Sequence, residues 1–357
     1  MGRKERKIEH IEWALEQEDN EGVFNDVQLV GSCLPELNLE DISIKTSLAG
    51  ISLGAPIVIN AITGGNKYSY WINQSLALVS AQLGIAMAVG SQKAALNDPG
   101  VRYTFEVVRK VNTDGIIFAN TGADVTPGLA QEAVDMINAQ ALQVHLNVGQ
   151  ELVMREGDKK FKGYLENIKK LSASISVPII VKEVGQGIAK KEAKQLFEAG
   201  VSAIDISGYG GTNFIQIESN RRNDKSFSGL LNWGIKTPNS LLEVLSVKYD
   251  GYYDNKDIIA SGGISSSIDA YKALVLGARC VGVAGFPLRV LMKEGQESLY
   301  KKLDTWLCEL KYLLLLSGVD NIEDTKKIPA VIRGDLREYA RNRGLKTRHF
   351  ANRDKND

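Results

Sequence analysis

The sequence is poor in cysteine and histidine and has no excess of charge of either sign. Its 357 residues include three cysteines and three histidines, and 43 Lys and Arg balance 43 Asp and Glu. Cys33, Cys280 and Cys308 are too scattered for a disulfide framework or a zinc site, which favours a reducing compartment. The balanced charge provides no global field that would attract nucleic acid.

Long apolar runs are also missing. The N-terminus, MGRKERKIEH, has no apolar segment of signal-peptide length, and the later stretch YLLLLSGV is too short to span a bilayer. The composition is otherwise that of a globular chain, with 44% hydrophobic residues and a high count of 34 glycines. We therefore expect a cytoplasmic enzyme that binds neither membrane nor nucleic acid.

Short apolar runs without alternation recur along the chain, as expected for strands that are buried on both faces of a parallel sheet. Eight such runs are present, among them APIVINAITGG, GIIFANTG, VPIIVKEVG and AIDISGYGG. Segments with helical periodicity lie between them, and several begin at Ser, Thr or Asp and end at Gly. Eight βα units predict a single (β/α)8 TIM barrel, with a doubly wound sheet as the alternative.

The repeat also predicts the domain organisation. Residues 1–55 form an N-terminal arm, residues 56–320 the barrel and residues 321–357 a C-terminal tail. The stretch 213–235 follows the sixth barrel strand and is longer than a usual βα loop. We expect it to act as a lid over the C-terminal face of the barrel, where active sites of this fold lie.

The predicted strand ends are rich in glycine and small polar residues. DISGYGGTNF has three glycines within four residues after the sixth strand, and more glycines follow the seventh and eighth strands. Because these ends share one face of a barrel, their backbone amides predict a phosphate site, and bare backbone suits close approach of FMN, a flat phosphorylated cofactor. The simpler interpretation is that glycine-rich turns occur in any barrel.

Lys182 is the one cation inside the otherwise apolar strand PIIVKEVG. A buried lysine usually has a partner or a task. It could form an interior ion pair with Glu183 or Asp205, or act as a Schiff-base amine. It could also place a fixed positive charge beside N1 and the C2 carbonyl of a flavin, where it would stabilise the reduced form.

The segment HLNVGQE carries the most varied chemistry. His145 is the only histidine of the predicted barrel core, and a lone strand histidine is more often structural than catalytic. Asn147, Gln150 and Glu151 cluster at the same strand end, which favours a functional role. Glu151 is a predicted Mg2+ ligand that meets substrate oxygens, unless its carboxylate only stabilises the N-terminal end of the next helix.

These segments together closely resemble the FMN-dependent type 2 isopentenyl-diphosphate isomerase family. The resemblance covers the N-terminal arm and essentially the whole barrel, and HLNxxQE and GYGGTNF are its specific motifs. Lys93 departs from the pattern, because many members have arginine there and lysine offers a phosphate only a point charge. The matching segments are RKxxH at residues 6–10, NAITGG at 60–65, AVGSQ at 88–92, FAN at 118–120, HLNVGQE at 145–151, PIIVKEVG at 178–185, DISGYGGTNF at 205–214, ASGGI at 260–264 and VAG at 283–285.

The resemblance implies cofactor, substrate and metal sites at the strand ends. FMN would contact Ala61, Ile62, Thr63, Ser91, Asn120, Lys182, Ser207, Thr212, Gly262, Gly263, Ala284 and Gly285. The substrate diphosphate would be held by Arg6, Lys7, His10, Lys93, His145, Asn147 and Gln150. Mg2+ would bind Glu151.

The implied reaction is the 1,3-allylic proton shift between isopentenyl and dimethylallyl diphosphate. Protonating an unactivated alkene requires a strong acid on one side, a base on the other and exclusion of water, and the strand ends offer no obvious pair of carboxylates. The resemblance implies that reduced FMN does this at N5 after priming by NADPH, with Gln150 and His145 as catalytic side chains. It also implies a homo-oligomer, either a tetramer or an octamer.

Two other functions remain open. An FMN-dependent 2-hydroxy-acid oxidoreductase would share Lys182 and the late glycines, but residues 209–212, YGGT, stand where that class has its catalytic base. A flavin-free aldolase would use Lys182 as its Schiff-base amine. The colour of the purified protein separates them, since a yellow protein without a borohydride-trapped adduct excludes the aldolase.

Overall fold

The computed structural model describes residues 3–17, 22–222, 226–248, 251 and 253–356, apart from the side chains of residues 3–8 and 354–356. The strands of these ranges are β1 (Val27–Leu29), β2 (Thr46–Leu48), β3 (Ile51–Leu53), β4 (Ile57–Ile59), β5 (Ala86–Ala88), β6 (Ile117–Gly122), β7 (Ala141–Leu146), β8 (Ile179–Glu183), β9 (Ala203–Asp205), β10 (Asp257–Ser261), β11 (Cys280–Val283) and β12 (Ala330–Ile332).

In the described part of the chain, one or two α-helices follow each strand from β4 to β11, one precedes β1 and one follows β12. They are α1 (Arg3–Glu16), α2 (Lys67–Leu83), α3 (Lys93–Asn97), α4 (Tyr103–Val111), α5 (Pro127–Met136), α6 (Val148–Val153), α7 (Tyr164–Ser174), α8 (Lys190–Glu198), α9 (Phe214–Arg221), α10 (Thr237–Lys248), α11 (Ser267–Leu276), α12 (Gly285–Glu294), α13 (Gln296–Leu316) and α14 (Gly334–Asn342). Local sequence explains the ends of α2: the Asn66 side chain accepts from the Ser69 N–H, and Gly84 ends the helix with φ +64°.

The eight strands β4 to β11 pair in parallel in chain order, and β11 closes the barrel by pairing with β4. This confirms the predicted (β/α)8 barrel. Every residue of β4, β5 and β8 to β11 is buried, as the unalternated apolar runs indicated.

The N-terminal end of the barrel has an apolar filling, which we call the lower interior. The β2–β3 hairpin covers this end, where the Ala49 N–H donates to Asp257 Oδ2 at 2.7 Å. The buried side chains of the lower interior come from the hairpin and from every barrel strand: Leu48, Leu53, Val58, Ala86, Ala88, Phe118, Ala141, Ile180, Ala203, Ile259 and Cys280.

On most of these strands, the residue two positions further towards the C-terminal end also faces the interior, and its side chain is polar. A strand repeats every two residues, so both positions face the same way. We call this second set the upper interior: Asn60, Asn120, Gln143, His145, Lys182, Asp205 and Ser261. All but His145 are buried, and His145, Lys182 and Asp205 are neighbours in the registers of β7, β8 and β9.

The predicted arm and tail lie side by side. Strand β1 pairs antiparallel with β12, with Val27 opposite Ile332, and the Arg333 N–H donates to the Asp26 carbonyl at 2.9 Å. The boundaries at residues 55 and 320 stay predictions. Among the described helices, which include the 21-residue α13, none is both long and apolar enough to cross a membrane.

The long segment after β9 contains regular structure. It includes α9 and a 3-10 helix at Ser228–Leu230 before α10 begins. Both α1 and α6 pack against α9. The expected lid role of this segment stays a prediction.

Candidate active site

A cavity of about 510 Å³ opens at the C-terminal ends of the barrel strands. The structure brings eighteen of the twenty predicted site residues to its walls: His10, Ala61, Ile62, Thr63, Ser91, Lys93, Asn120, His145, Asn147, Gln150, Glu151, Lys182, Ser207, Thr212, Gly262, Gly263, Ala284 and Gly285. The other two, Arg6 and Lys7, belong to α1, and their side chains lie outside the described residues.

The strand-end glycines allow two loops to pack against each other. A Cβ on Gly211 would lie 2.5 Å from the Gly263 amide nitrogen, and one on Gly263 would lie 2.3 Å from the Gly210 carbonyl oxygen. Gly262 and Gly263 also have φ of +104° and +77°, which other residues rarely adopt. These positions therefore require glycine because the two loops pack closely against each other. The packed loops in turn form part of the cavity wall.

The upper interior holds Lys182 without an interior ion pair to either predicted carboxylate. Its Nζ donates to the Glu183 carbonyl oxygen at 2.7 Å. The Asp205 carboxylate instead accepts from Asn60 and Ser261. Lys182 is only 6% exposed and lines the cavity, so its charge faces the space that a ligand would occupy.

Glu183, one position after Lys182, shapes the loop at the end of β8. Its Oε2 accepts from the backbone N–H groups of Val184, Gly185 and Gln186 at 2.6, 2.8 and 2.5 Å. Burial raises the pKa of Glu183 to about 7, although these N–H groups and the charge of Lys182 act in the opposite direction. The carboxylate thus fixes a wall of the cavity.

A row of buried amides crosses the upper interior. Asn60 Nδ2 donates to Asp205 Oδ2 at 2.5 Å, and Gln143 Nε2 donates to Asn60 Oδ1 at 2.9 Å. Asn120 Nδ2 donates to Gln143 Oε1 at 3.1 Å, and His145 Nδ1 lies 2.8 Å from Asn120 Oδ1. We call Asn60, Gln143 and Asn120 the amide chain. It connects Asp205 on β9 with His145 on β7.

The amide chain was only partly found from the sequence. Asn120 was predicted, whereas Asn60 and Gln143 were not. A signal for Gln143 was present, because Gln143, His145 and Asn147 alternate with apolar residues and therefore share one face of an extended strand.

Glu218 joins the N-terminal helix to the strand-end residues, and its place in the site was not predicted from the sequence. Its Oε1 lies 2.7 Å from His10 Nε2 and accepts from Gln150 Nε2 at 3.3 Å, while Oε2 accepts from Arg221 at 2.5 Å. Burial opposes ionisation here, but the contacts with His10 and Arg221 lower the pKa of Glu218. A buried carboxylate therefore holds two predicted substrate residues.

Glu151 has local partners in the cavity wall. Asn147 Nδ2 donates to Glu151 Oε1 at 3.0 Å, and the Asp158 N–H donates to Oε2 at 2.7 Å. Within the described ranges no group of three or more His, Cys, Asp or Glu could hold a metal ion. One carboxylate fits Mg2+ only if water and a phosphate-bearing ligand supply the other oxygens.

Lys93 is already paired. Its Nζ lies 2.5 Å from Asp124 Oδ2, and the two side chains are 51% and 35% exposed. A diphosphate would therefore compete with a solvent-screened carboxylate, which costs little to displace.

Arg289 on α12 is a further cation at the cavity. A Cβ on Gly285 would lie 2.8 Å from Arg289 Nη1 and 3.3 Å from Thr212 Oγ1, so these groups converge on a bare backbone. Burial lowers the pKa of Arg289. A guanidinium, a hydroxyl and glycine amides form a set that suits a phosphate group.

The residues present fit an FMN. Lys182 gives a buried positive charge near the barrel axis, the amide-bearing upper interior can hydrogen-bond a polar ring, and the Gly285 region suits the phosphate. The predicted contacts lie along one continuous cavity, which is large enough for such a molecule.

A family profile and solved structures of the same fold show the general class of this protein. A profile described as FMN-dependent dehydrogenase matches residues 119–330. Solved structures with the same fold include a mandelate oxidase mutant with a monooxide FMN adduct, at 15% identity and TM-score 0.63 over 93% of both chains. Another is a refolded Pediococcus acidilactici protein described as a lactate oxidase, at 17% identity and TM-score 0.66 over 92% of this chain and 90% of that one. The fold and the profile define an FMN-dependent barrel protein.

Similarity to curated sequences shows the family within this class. The isopentenyl-diphosphate delta-isomerase of Bacillus licheniformis is 44% identical over 97% of this chain and 98% of its own. That of Moorella thermoacetica is 43% identical over 96% of this chain and 97% of its own. The chain therefore belongs to the isopentenyl-diphosphate delta-isomerase family, as its motifs indicated.

Proposed function

We propose that the protein interconverts isopentenyl diphosphate and dimethylallyl diphosphate, with FMN reduced by NADPH and with Mg2+. The observation that carries this proposal is the single cavity that joins two sets of residues. One set suits a flavin and is centred on Lys182, and the other brings His10, Asn147 and Gln150 together for an anionic substrate. The full-length similarity to curated isomerases supports it.

The chain's own side chains provide positioning and charge. When bound, reduced FMN supplies acid–base chemistry at N5. Lys182 would stabilise negative charge on the flavin, because it is a buried cation that lines the cavity. Gln150 and His145 would hold the substrate beside the flavin as catalytic side chains, while the packing of α1 and α6 against α9 would limit water.

The diphosphate would lie at the mouth of the barrel. His10, Lys93, Arg6 and Lys7 would contact its oxygens, and Glu151 would hold Mg2+ that also meets them. Asn147 supports this arrangement, because its amide donates to the Glu151 carboxylate and so fixes its orientation.

A test of the reaction uses the purified protein with FMN, Mg2+, NADPH and isopentenyl diphosphate in deuterated water without oxygen. We expect dimethylallyl diphosphate that contains deuterium, with no stoichiometric use of NADPH after priming. The alternative, a 2-hydroxy-acid oxidoreductase, would use one oxidant or reductant for each product. That stoichiometry without allylic isomer would exclude the isomerase.

Gln150→Ala should lower kcat about 100-fold or more, the range for a lost acid–base or positioning group, with nearly normal FMN content. Gln131→Ala is the matched control, because Gln131 hydrogen-bonds Asp135 and Ser176 outside the cavity. Equal activity of the two variants would remove Gln150 from the mechanism.

We further propose that the protein is a cytoplasmic homo-oligomer, a tetramer or an octamer, and that residues 213–235 act as a lid. Family resemblance supports the first statement, and the contacts of α9 with both α1 and α6 support the second. Light scattering of the full chain measures the assembly, and a monomer would refute it.

A further inference from the structure

We propose that the amide chain, anchored at Asp205, fixes the tautomer of His145 with its proton on Nδ1. The direction of each hydrogen bond in the chain assigns this tautomer without reference to any ligand. The consequence for catalysis rests on the proposed function, in which His145 contacts the substrate.

The direction is set at the Asp205 end. Both carboxylate oxygens of Asp205 accept hydrogen bonds, Oδ1 from the Ser261 hydroxyl and Oδ2 from Asn60, so Asn60 turns its NH2 group towards Asp205. A second contact gives the same orientation independently, because the Ala61 N–H donates to Asn60 Oδ1 at 3.0 Å. Asn60 Oδ1 is therefore the atom that faces Gln143.

The orientation of each later amide follows from the orientation of the amide before it. Gln143 donates its NH2 to Asn60 Oδ1 at 2.9 Å and so presents Oε1 to Asn120. Asn120 donates its NH2 to that oxygen at 3.1 Å and so presents Oδ1 to His145. An amide oxygen has no proton to give, so the 2.8 Å contact requires a proton on His145 Nδ1.

Burial makes this orientation costly to reverse. Asn60, Asn120, Gln143 and Asp205 are 4%, 2%, 0% and 0% exposed. If the Gln143 amide turned over, its NH2 group would face the NH2 group of Asn120 and its oxygen would face Asn60 Oδ1. If the Asn120 amide turned over, its oxygen would face Gln143 Oε1, again in a site with little water. The chain is thus directional over four strands: Asp205 on β9, Asn60 after β4, Asn120 on β6 and Gln143 on β7.

The tautomer decides what His145 can do. The neutral ring presents a lone pair at Nε2 and can take up a proton there. A diphosphate oxygen, which only accepts, could be bound at Nε2 only by the doubly protonated ring. Asp205, Asn60 and Gln143 would then be positioning residues that act on the substrate through His145.

The test is nitrogen NMR of the full chain loaded with FMN and labelled with 15N in histidine, at a pH where the ring is neutral. Comparison with a His145→Asn sample assigns the His145 signals among the three histidines. We expect wild-type His145 to carry its proton on Nδ1 alone. A predominant Nε2–H form would overturn the proposal directly.

Two variants test the cause. Gln143→Met removes the acceptor of Asn120, and Asn60→Leu removes the anchor next to Asp205, so with either variant the Nε2–H form should become detectable. Gln92→Met is the matched control: Gln92 is also 0% exposed, and its Oε1 accepts the backbone N–H of Asn120 rather than its side chain. It should leave the wild-type tautomer.

An unchanged Nδ1–H form in a folded Gln143→Met or Asn60→Leu protein would show that the amide chain does not set the tautomer. If neither variant folds, the wild-type spectrum still decides the direction of the bonds. The measurement uses no substrate, so absence of isomerase activity would refute the proposed function while leaving this result intact.

Discussion

The lower and upper halves of the barrel interior are built on the same strands and have opposite chemistry. Ile180 and Lys182 on β8 face the same way, as do Ala203 and Asp205 on β9, yet the first of each pair belongs to an apolar filling and the second to a polar network. The hairpin β2–β3 covers the lower half, while the upper half opens into the cavity. On most of the barrel strands, the side chains of the apolar filling and those of the polar site are thus only two residues apart.

The largest expected effect concerns the lower interior. Phe118→Ala should reduce the free energy of unfolding by about 3–5 kcal/mol, because it leaves a cavity among side chains that cannot easily collapse. Chemical denaturation measures this, with Leu34→Ala as control, since Leu34 is 75% exposed. FMN affinity of the protein that remains folded should be unchanged, and a specific loss of FMN would contradict the separation of the two halves.

The Lys182→Met substitution removes the charge of Lys182 from the upper interior and changes the side-chain volume little. FMN affinity should fall by about tenfold to a hundredfold, and the flavin should become harder to reduce, because a charge-assisted contact contributes about 1.5–3 kcal/mol. Lys194→Met on α8 is the control, since Lys194 makes only an exposed pair with Glu198. Unchanged FMN affinity and reduction potential would leave Lys182 a structural residue.

Gly282 lies at the junction of the two halves. A Cβ there would be 2.7 Å from Asn60 Nδ2 and 3.0 Å from Ser261 Cβ, so Gly282→Ala should destabilise the protein by about 1–3 kcal/mol through overpacking. Gly128→Ala on α5 has open space and should be neutral or slightly stabilising. Thermal unfolding compares the stability of the two variants. Equal stability would mean that the side chains around Gly282 move to accommodate the added Cβ.

The smallest effect is expected at the rim of the cavity. If Glu151 holds Mg2+ as proposed, Glu151→Gln should raise the Mg2+ concentration needed for half-maximal activity by about tenfold or less, since water and substrate would supply most ligands of the ion. Glu192→Gln is the control, because Glu192 is likewise an acid in the first turn of a helix, α8. Identical metal titrations would favour the helix-dipole explanation for Glu151.

Much of the fold and part of the site could be predicted from the sequence. The apolar runs predicted the strands, and the motifs predicted eighteen residues that the cavity brings together. Glu218 was missed because it lies in a helix within the expected lid, and only the packing of α1 on α9 brings it to His10. Arg289 was missed because a single arginine on an amphipathic helix has the pattern of a surface residue.

The sequence by itself determined the eight βα units and the glycines at the strand ends, because these depend on local burial patterns and backbone conformations. Only the tertiary structure decided the partners of the polar side chains. His10 meets Glu218 across 208 positions, and Asn60 meets Asp205 across 145. Such partners depend on the closure and register of the barrel, which bring distant strands together, and no local pattern encodes the direction of the hydrogen bonds between them.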